Sequence, residues 1–200
     1  MIAIIDYGAG NLFSVSNALN YIGAPNIITK DVKDIEKADA LILPGVGAFP
    51  DAMAKLHASG LVDGALDAVK VKPLLGICLG MQMLFDESYE FSKTSGLSLI
   101  SGEVKQIKDT GLKIPHMGWN SLKFKNPSPL LEGIDEGSYF YFVHSFMAYC
   151  DEKNLVAVCD YGCEVPALVQ NGNVFGAQFH PEKSGDVGLL MLKNFWRLSK

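Results

Sequence analysis

Four short apolar runs, at residues 1–5, 26–29, 40–43 and 74–78, alternate with segments of helical period in the first part of this chain. Between the first two, Val15, Ala18, Leu19 and Ile22 recur at helix spacing over residues 14–22, and Gly23-Ala24-Pro25 supplies a stop. Pro44-Gly45 breaks the third run, and helical stretches follow over residues 52–56 and 61–69. After the fourth run, residues 79–85 have the look of another helix. Apolar strands separated by helices demand a parallel sheet covered on both faces.

The second half changes character. Residues 139–146 form an aromatic run and residues 155–159 an apolar one, while residues 167–170 and 174–179 flank Asn171-Gly172, a two-residue hairpin signal. An amphipathic helix over residues 187–198 closes the chain. The expected fold is α/β: a mostly parallel central sheet with helices on both faces and an antiparallel extension. No linker or low-complexity stretch divides residues 1–200, so one domain is expected.

Composition narrows the function. A net charge of −5 without a cluster of Lys or Arg argues against nucleic acid as a partner. No apolar run is long enough to span a bilayer, and the opening Met1-Ile2-Ala3-Ile4-Ile5 reads as a buried strand rather than a leader. Cys78, Cys150, Cys159 and Cys163 show no disulfide framework, so a reducing cytoplasm and free thiols are expected.

One of those thiols sits in Gly76-Ile77-Cys78-Leu79-Gly80-Met81-Gln82, a G-x-C-x-G pattern between a strand and a helix. This is the thiol form of a nucleophile elbow. A nucleophile on so sharp a turn holds a strained backbone, and the residues two before and two after it must be small. The following helix start favours a thiolate, and the Leu79 N–H points to where an oxyanion would form. A buried structural cysteine with ordinary turn glycines is the plainer explanation of this segment taken alone.

Near the other end, residues 174–179 run into His180-Pro181-Glu182. In extended backbone, residues two apart project to one side, and Pro181 pushes His180 towards that geometry. A carboxylate beside an imidazole fixes its tautomer and steadies the imidazolium. Elbow cysteine and His-x-Glu each follow an apolar strand, at the carboxyl ends where ligands of open α/β sheets collect.

At these residues the sequence resembles the class I, triad-type glutamine amidotransferases. Within that family it is similar to the glutaminase subunits of imidazole glycerol phosphate synthases, in Asp6-Tyr7-Gly8-Ala9-Gly10-Asn11, Pro44-Gly45-Val46-Gly47-Ala48-Phe49, Pro115-His116-Met117-Gly118-Trp119-Asn120, Tyr141-Phe142-Val143-His144-Ser145 and Gln178-Phe179-His180-Pro181-Glu182-Lys183-Ser184. The resemblance implies a flavodoxin-like fold, with Cys78 as nucleophile, His180 as general base and acid, and Glu182 as its orienting partner. It implies oxyanion donors at Val46 and Leu79, and glutamine contacts at Gly47, Gln82, Ser145 and Phe146. Phe146 stands where the family often carries tyrosine, so no role is carried over to a hydroxyl there. The resemblance also implies a (β/α)8-barrel cyclase as partner, met by Asn11, Trp119, Asn120, Tyr141 and Lys183, and no cofactor. A thiol hydrolase would not explain Gln82 or the 44–49 strand, and a binding module would not need the triad.

Other features are expected to be structural. Gly8-Ala9-Gly10 lacks the full dinucleotide spacing. Cys159 and Cys163 have no second ligand pair at zinc spacing, so no metal is expected. His57 reads as a surface residue, while His116 and His144 either line the partner face or serve as hydrogen-bonded structural groups.

Overall fold

The computed structural model describes residues 1–108 and 111–200. Its first half comprises β1 (Ile2–Ile5), α1 (Leu12–Tyr21), β2 (Asn26–Thr29), α2 (Val32–Lys37), β3 (Ala40–Gly45), α3 (Phe49–Ala58), α4 (Val62–Val69), β4 (Leu74–Cys78) and α5 (Leu79–Gln82). Then follow β5 (Glu87–Ser88), β6 (Thr94–Ser95), β7 (Gly102–Gln106), β8 (His116–Ser121), β9 (Lys123–Phe124), β10 (Tyr139–His144) and β11 (Phe146–Cys150). The chain ends with β12 (Leu155–Asp160), β13 (Glu164–Asn171), β14 (Val174–Ala177) and α6 (Gly185–Arg197).

The main sheet has the order β2-β1-β3-β4-β14-β13-β12-β9. It is parallel from β2 to β14 and antiparallel beyond, which is the expected parallel sheet with its extension. Strand alternation sorts the core into two layers. Ile2 and Ile4 pack with Val15 and Leu19 of α1 and with Leu192 and Phe195 of α6. Ala3 and Ile5 pack with Ile35 of α2, Phe49 and Met53 of α3 and Val69 of α4. Helices therefore cover both faces. The β10-β8 pair and the β11-β7-β5-β6 sheet stand apart from this frame and wall the site.

Several boundaries differ from the sequence reading. Pro44-Gly45 does not break β3: the ladder to β4 continues to Gly45 opposite Cys78, while pairing with β1 stops at Ile42, so a missing N–H is tolerated on that side. α3 starts at Phe49 rather than 52 and α4 at Val62 rather than 61. The helix expected over 79–85 is a single turn, after which Leu84 and Phe85 tighten to i→i+3 bonds. The aromatic run at 139–146 is two strands, because at Ser145 the chain leaves β8 and joins β7. The hairpin closes one residue later than expected: Asn171 pairs Val174, and Gly172, at φ 60°, takes the turn with Asn173. β14 itself ends at Ala177, not 179.

Candidate active site

β4 delivers Cys78 to the carboxyl edge of the sheet with φ 55° and ψ −112°, a region that side chains avoid. Backbone contact explains the glycines around it. A Cβ on Gly76 would stand 2.6 Å from the Gly80 carbonyl oxygen, and one on Gly80 only 1.8 Å from that of Leu43. The elbow is thus wedged against β3. Since α5 has four residues, little macrodipole stands behind the thiol.

β14 lies beside β4, and the chain leaving it brings His180 to the same edge. His180 Nδ1 is 2.8 Å from Glu182 Oε1, with both side chains almost wholly buried. The contact does not come from extended alternation, because Pro181–Lys183 is a 3₁₀ turn that folds the carboxylate back under the ring. Ser184 fixes the turn by donating to the His180 carbonyl at 2.6 Å and accepting the Tyr141 N–H at 3.0 Å. Burial alone would lower the pKa of His180. Hydrogen bonding and charge from Cys78 and Glu182 outweigh it and push the ring up to about 9. Nε2 makes no hydrogen bond at rest, so the link to Cys78 is not closed and the Glu182 contact is the firmer cause.

Cys78 and His180 line one cleft of about 350 Å³ together with Val46, Gly47, Leu79, Gln82, Ser145 and Phe146. Every residue expected at the oxyanion and glutamine positions is therefore gathered there. Gln82 is buried, and its amide nitrogen donates to the Phe146 carbonyl and to Gln178 Oε1, both at 3.0 Å. Gly47 sits at φ 96° with open space around it. Among the described residues no cluster of His, Cys, Asp and Glu is arranged to hold a metal.

The class-I glutamine amidotransferase family matches residues 3–198. The chain belongs to that family. A Bacillus cereus protein named imidazole glycerol phosphate synthase subunit HisH is 54% identical over 196 residues, covering 98% of this chain and 93% of the relative. A protein of the same name from Bacillus anthracis is 53% identical over the same coverage. A solved structure described as a glutamine amidotransferase superposes with a TM-score of 0.77 at 21% identity, covering 99% of this chain and 98% of the other, and so supports the fold.

Two features of this amidotransferase site lie beyond the sequence reading. Among the described residues that line the cleft, Glu90 is the only carboxylate, and it accepts the Phe49 N–H at the start of α3 at 2.7 Å. Gln178 is fully buried and turns its amide nitrogen towards Cys78 Sγ at 3.9 Å. Its place two residues before His180 was the available signal; Glu90 had none. On the outer side, exposed Trp119 meets Tyr141 edge to face at 6.1 Å, and the Tyr141 carbonyl accepts the His180 N–H at 2.9 Å. Lys183 is exposed and Asn11 half-buried. Strand alternation turns Asn120 away from Trp119, onto His116 and the Asp160 carbonyl.

Proposed function

We propose that this chain is the glutaminase subunit of an imidazole glycerol phosphate synthase, acting as one unit over residues 1–200 in the cytoplasm. The observation that carries the reading is the single cleft shared by the elbow thiol, His180, Gln82, Ser145 and Phe146, with Glu182 holding the imidazole from behind. The Bacillus relatives supply the choice of synthase.

The Cys78 thiolate attacks the side-chain amide carbon of glutamine, and backbone N–H groups at Leu79 and Val46 hold the oxyanion. His180 gives its Nε2 proton to the departing nitrogen, which leaves as ammonia, and a γ-glutamyl thioester remains. His180 then takes a proton from water, the hydroxide adds to the thioester and the adduct expels the Cys78 thiolate. The new γ-carboxyl loses its proton to solvent, which leaves glutamate, the starting thiolate and protonated His180. Glu182 keeps Nδ1 protonated throughout. Glu90 is placed to receive the α-ammonium group of the substrate, and Gly47, Gln82, Ser145 and Phe146 to hold the rest.

Ammonia is a nucleophile only when unprotonated, so release to bulk water wastes most of it. Direct delivery to a (β/α)8-barrel cyclase fits this need, yielding imidazole glycerol phosphate and an aminoimidazole carboxamide ribonucleotide. Asn11, Trp119, Tyr141 and Lys183 would meet that partner, with Asn120 supporting them from behind. One missing oxyanion donor raises the barrier by about 2.7–4 kcal/mol, enough to make the 45–47 segment a switch that the liganded partner turns. Proline at Gly47, locked near −65°, would distort a bend that rests at φ 96°. Alanine is also strained at that φ but leaves the dihedral free to change, and undiminished partner stimulation in Gly47→Ala would remove this segment as the switch.

The deciding experiment is ammonia release by the chain alone and with the cyclase and its nucleotide. Stimulation of at least about tenfold, equivalent to about 1.4 kcal/mol off the barrier, and loss in Cys78→Ala are expected. Turnover indifferent to the cyclase would assign the chain to another synthase. No turnover at all would end the glutaminase reading.

A further inference from the structure

Behind the cleft runs a line of hydrogen bonds whose direction is fixed at both ends. His144 Nδ1 lies 2.8 Å from the Phe146 carbonyl oxygen, which can only accept. A neutral His144 therefore carries its proton on Nδ1 and leaves Nε2 as an acceptor. His116 Nδ1, 3.0 Å away, must donate to it. That makes His116 Nε2 an acceptor, and the group facing it at 3.3 Å is the Asn120 amide nitrogen, a donor. The Asn120 amide is itself pinned: Nδ2 also donates to the Asp160 carbonyl, and Oδ1 accepts the Ser121 N–H, both at 2.8 Å. A second proton on either ring would set two donors face to face.

The rings have little freedom. Both are buried, and His116 is stacked between Phe142 at 4.8 Å and Tyr161 at 4.0 Å. Burial pushes His116 down to about 4 and His144 to about 3; the titratable groups that bear on His144 are His116 and His180. The receiving carbonyl is shared, since Phe146 also accepts from Gln82. His144, Ser145 and Phe146 together line the cleft at the place where the chain passes from β10 to β11.

We propose that His116 and His144 are positioning residues, a tautomer-locked pair that holds the Ser145–Phe146 segment against the substrate. This rests on the glutaminase reading above. Two measurements test it. In ¹⁵N spectra of the histidine-labelled chain at pH 7, both rings are expected as neutral Nδ1–H tautomers. An Nε2–H tautomer or a cation at either ring overturns the proposal. In glutaminase assays with the liganded cyclase, His116→Ala is expected to raise the KM for glutamine at least fivefold while kcat changes less than twofold. His116→Asn, whose amide can replace the Nδ1–H donor, should recover most of that loss. A KM within twofold of wild type in His116→Ala, or no recovery in His116→Asn, overturns it as well. Should His116→Ala fail to fold, the tautomers decide. Absence of glutamine turnover by the unaltered complex would strike instead at the glutaminase reading, which the spectra do not depend on.

Discussion

His180 Nδ1 and Glu182 Oε1 form a 2.8 Å contact from which water is shut out, while Nε2 of the same ring has no partner at rest. The ring is thus held by one nitrogen and kept available at the other. Glu182→Gln should lower kcat at least about a hundredfold in the ammonia-release assay, since the orienting charge is lost.

The same contact sets a pH dependence of stability. The folded pKa of His180, about 9, lies above its unfolded value near 6.5. Its stabilising contribution is therefore complete below about pH 6.5 and lost as the pH rises to about 9. Urea unfolding at several pH values should show the gap between wild type and Glu182→Gln narrowing over that window, by about 1–3 kcal/mol. A gap independent of pH would contradict the assignment.

His116 and His144 work in the opposite sense, because their folded values of about 4 and about 3 lie below the unfolded one. They add stability above about pH 6.5, and it drains away as the pH falls, at about 1.4 kcal/mol per unit for each ring. At pH 5.5 unfolding should take up close to two protons, read from the slope of the unfolding constant against pH. Uptake of fewer than about one would mean that the pair is not held neutral.

Cys78 pays for its position with backbone strain at φ 55°. Glycine adopts that conformation freely, whereas a side chain there costs about 1–3 kcal/mol. Of two inactive variants, Cys78→Gly should melt about 2–4 °C above Cys78→Ala, after allowing for glycine's greater freedom when unfolded.

Gly80→Ala tests the wedge between elbow and β3. Its Cβ would meet backbone rather than a movable side chain. The expected loss is at or beyond the upper end of the usual 1–3 kcal/mol for overpacking, about enough to bring insoluble expression or a sharply lowered Tm. Normal stability in this variant would mean that β3 can move away.

Trp119→Ala should weaken binding to the cyclase by roughly 2 kcal/mol, about thirtyfold in Kd, as truncation of a central aromatic typically does. Titration calorimetry would measure it, and unstimulated ammonia release by the chain alone should not change.

The sheet was legible because β1, β2 and β4 are apolar runs with turn residues at their ends, so local spacing sufficed. The elbow and His180-Pro181-Glu182 were legible for the same reason, although the sequence suggested an extended link where a 3₁₀ turn makes it. Glu90 escaped notice because it reaches the cleft through α3, whose Phe49 is 41 residues away in the chain. The sequence does not choose between two roles for His116 and His144, since rings 28 residues apart meet only once β8 and β10 pair. Pro44 misled because its cost depends on which neighbour a strand has, and sequence does not display neighbours.

β4 and β14 are adjacent, with Leu74 opposite Val174, but Cys78 and Gln178 are 100 positions apart. Translation therefore produces the thiol long before the imidazole that shares its cleft. On the proposed mechanism, a nascent chain, or one cut short before β14, carries an elbow without its base. The last strand must enter between β4 and β13, and closing so long a loop is among the slower events of folding. On the proposed mechanism, ammonia production begins only after β14 and His180 have reached the edge beside Cys78, and a chain cut short before them is silent.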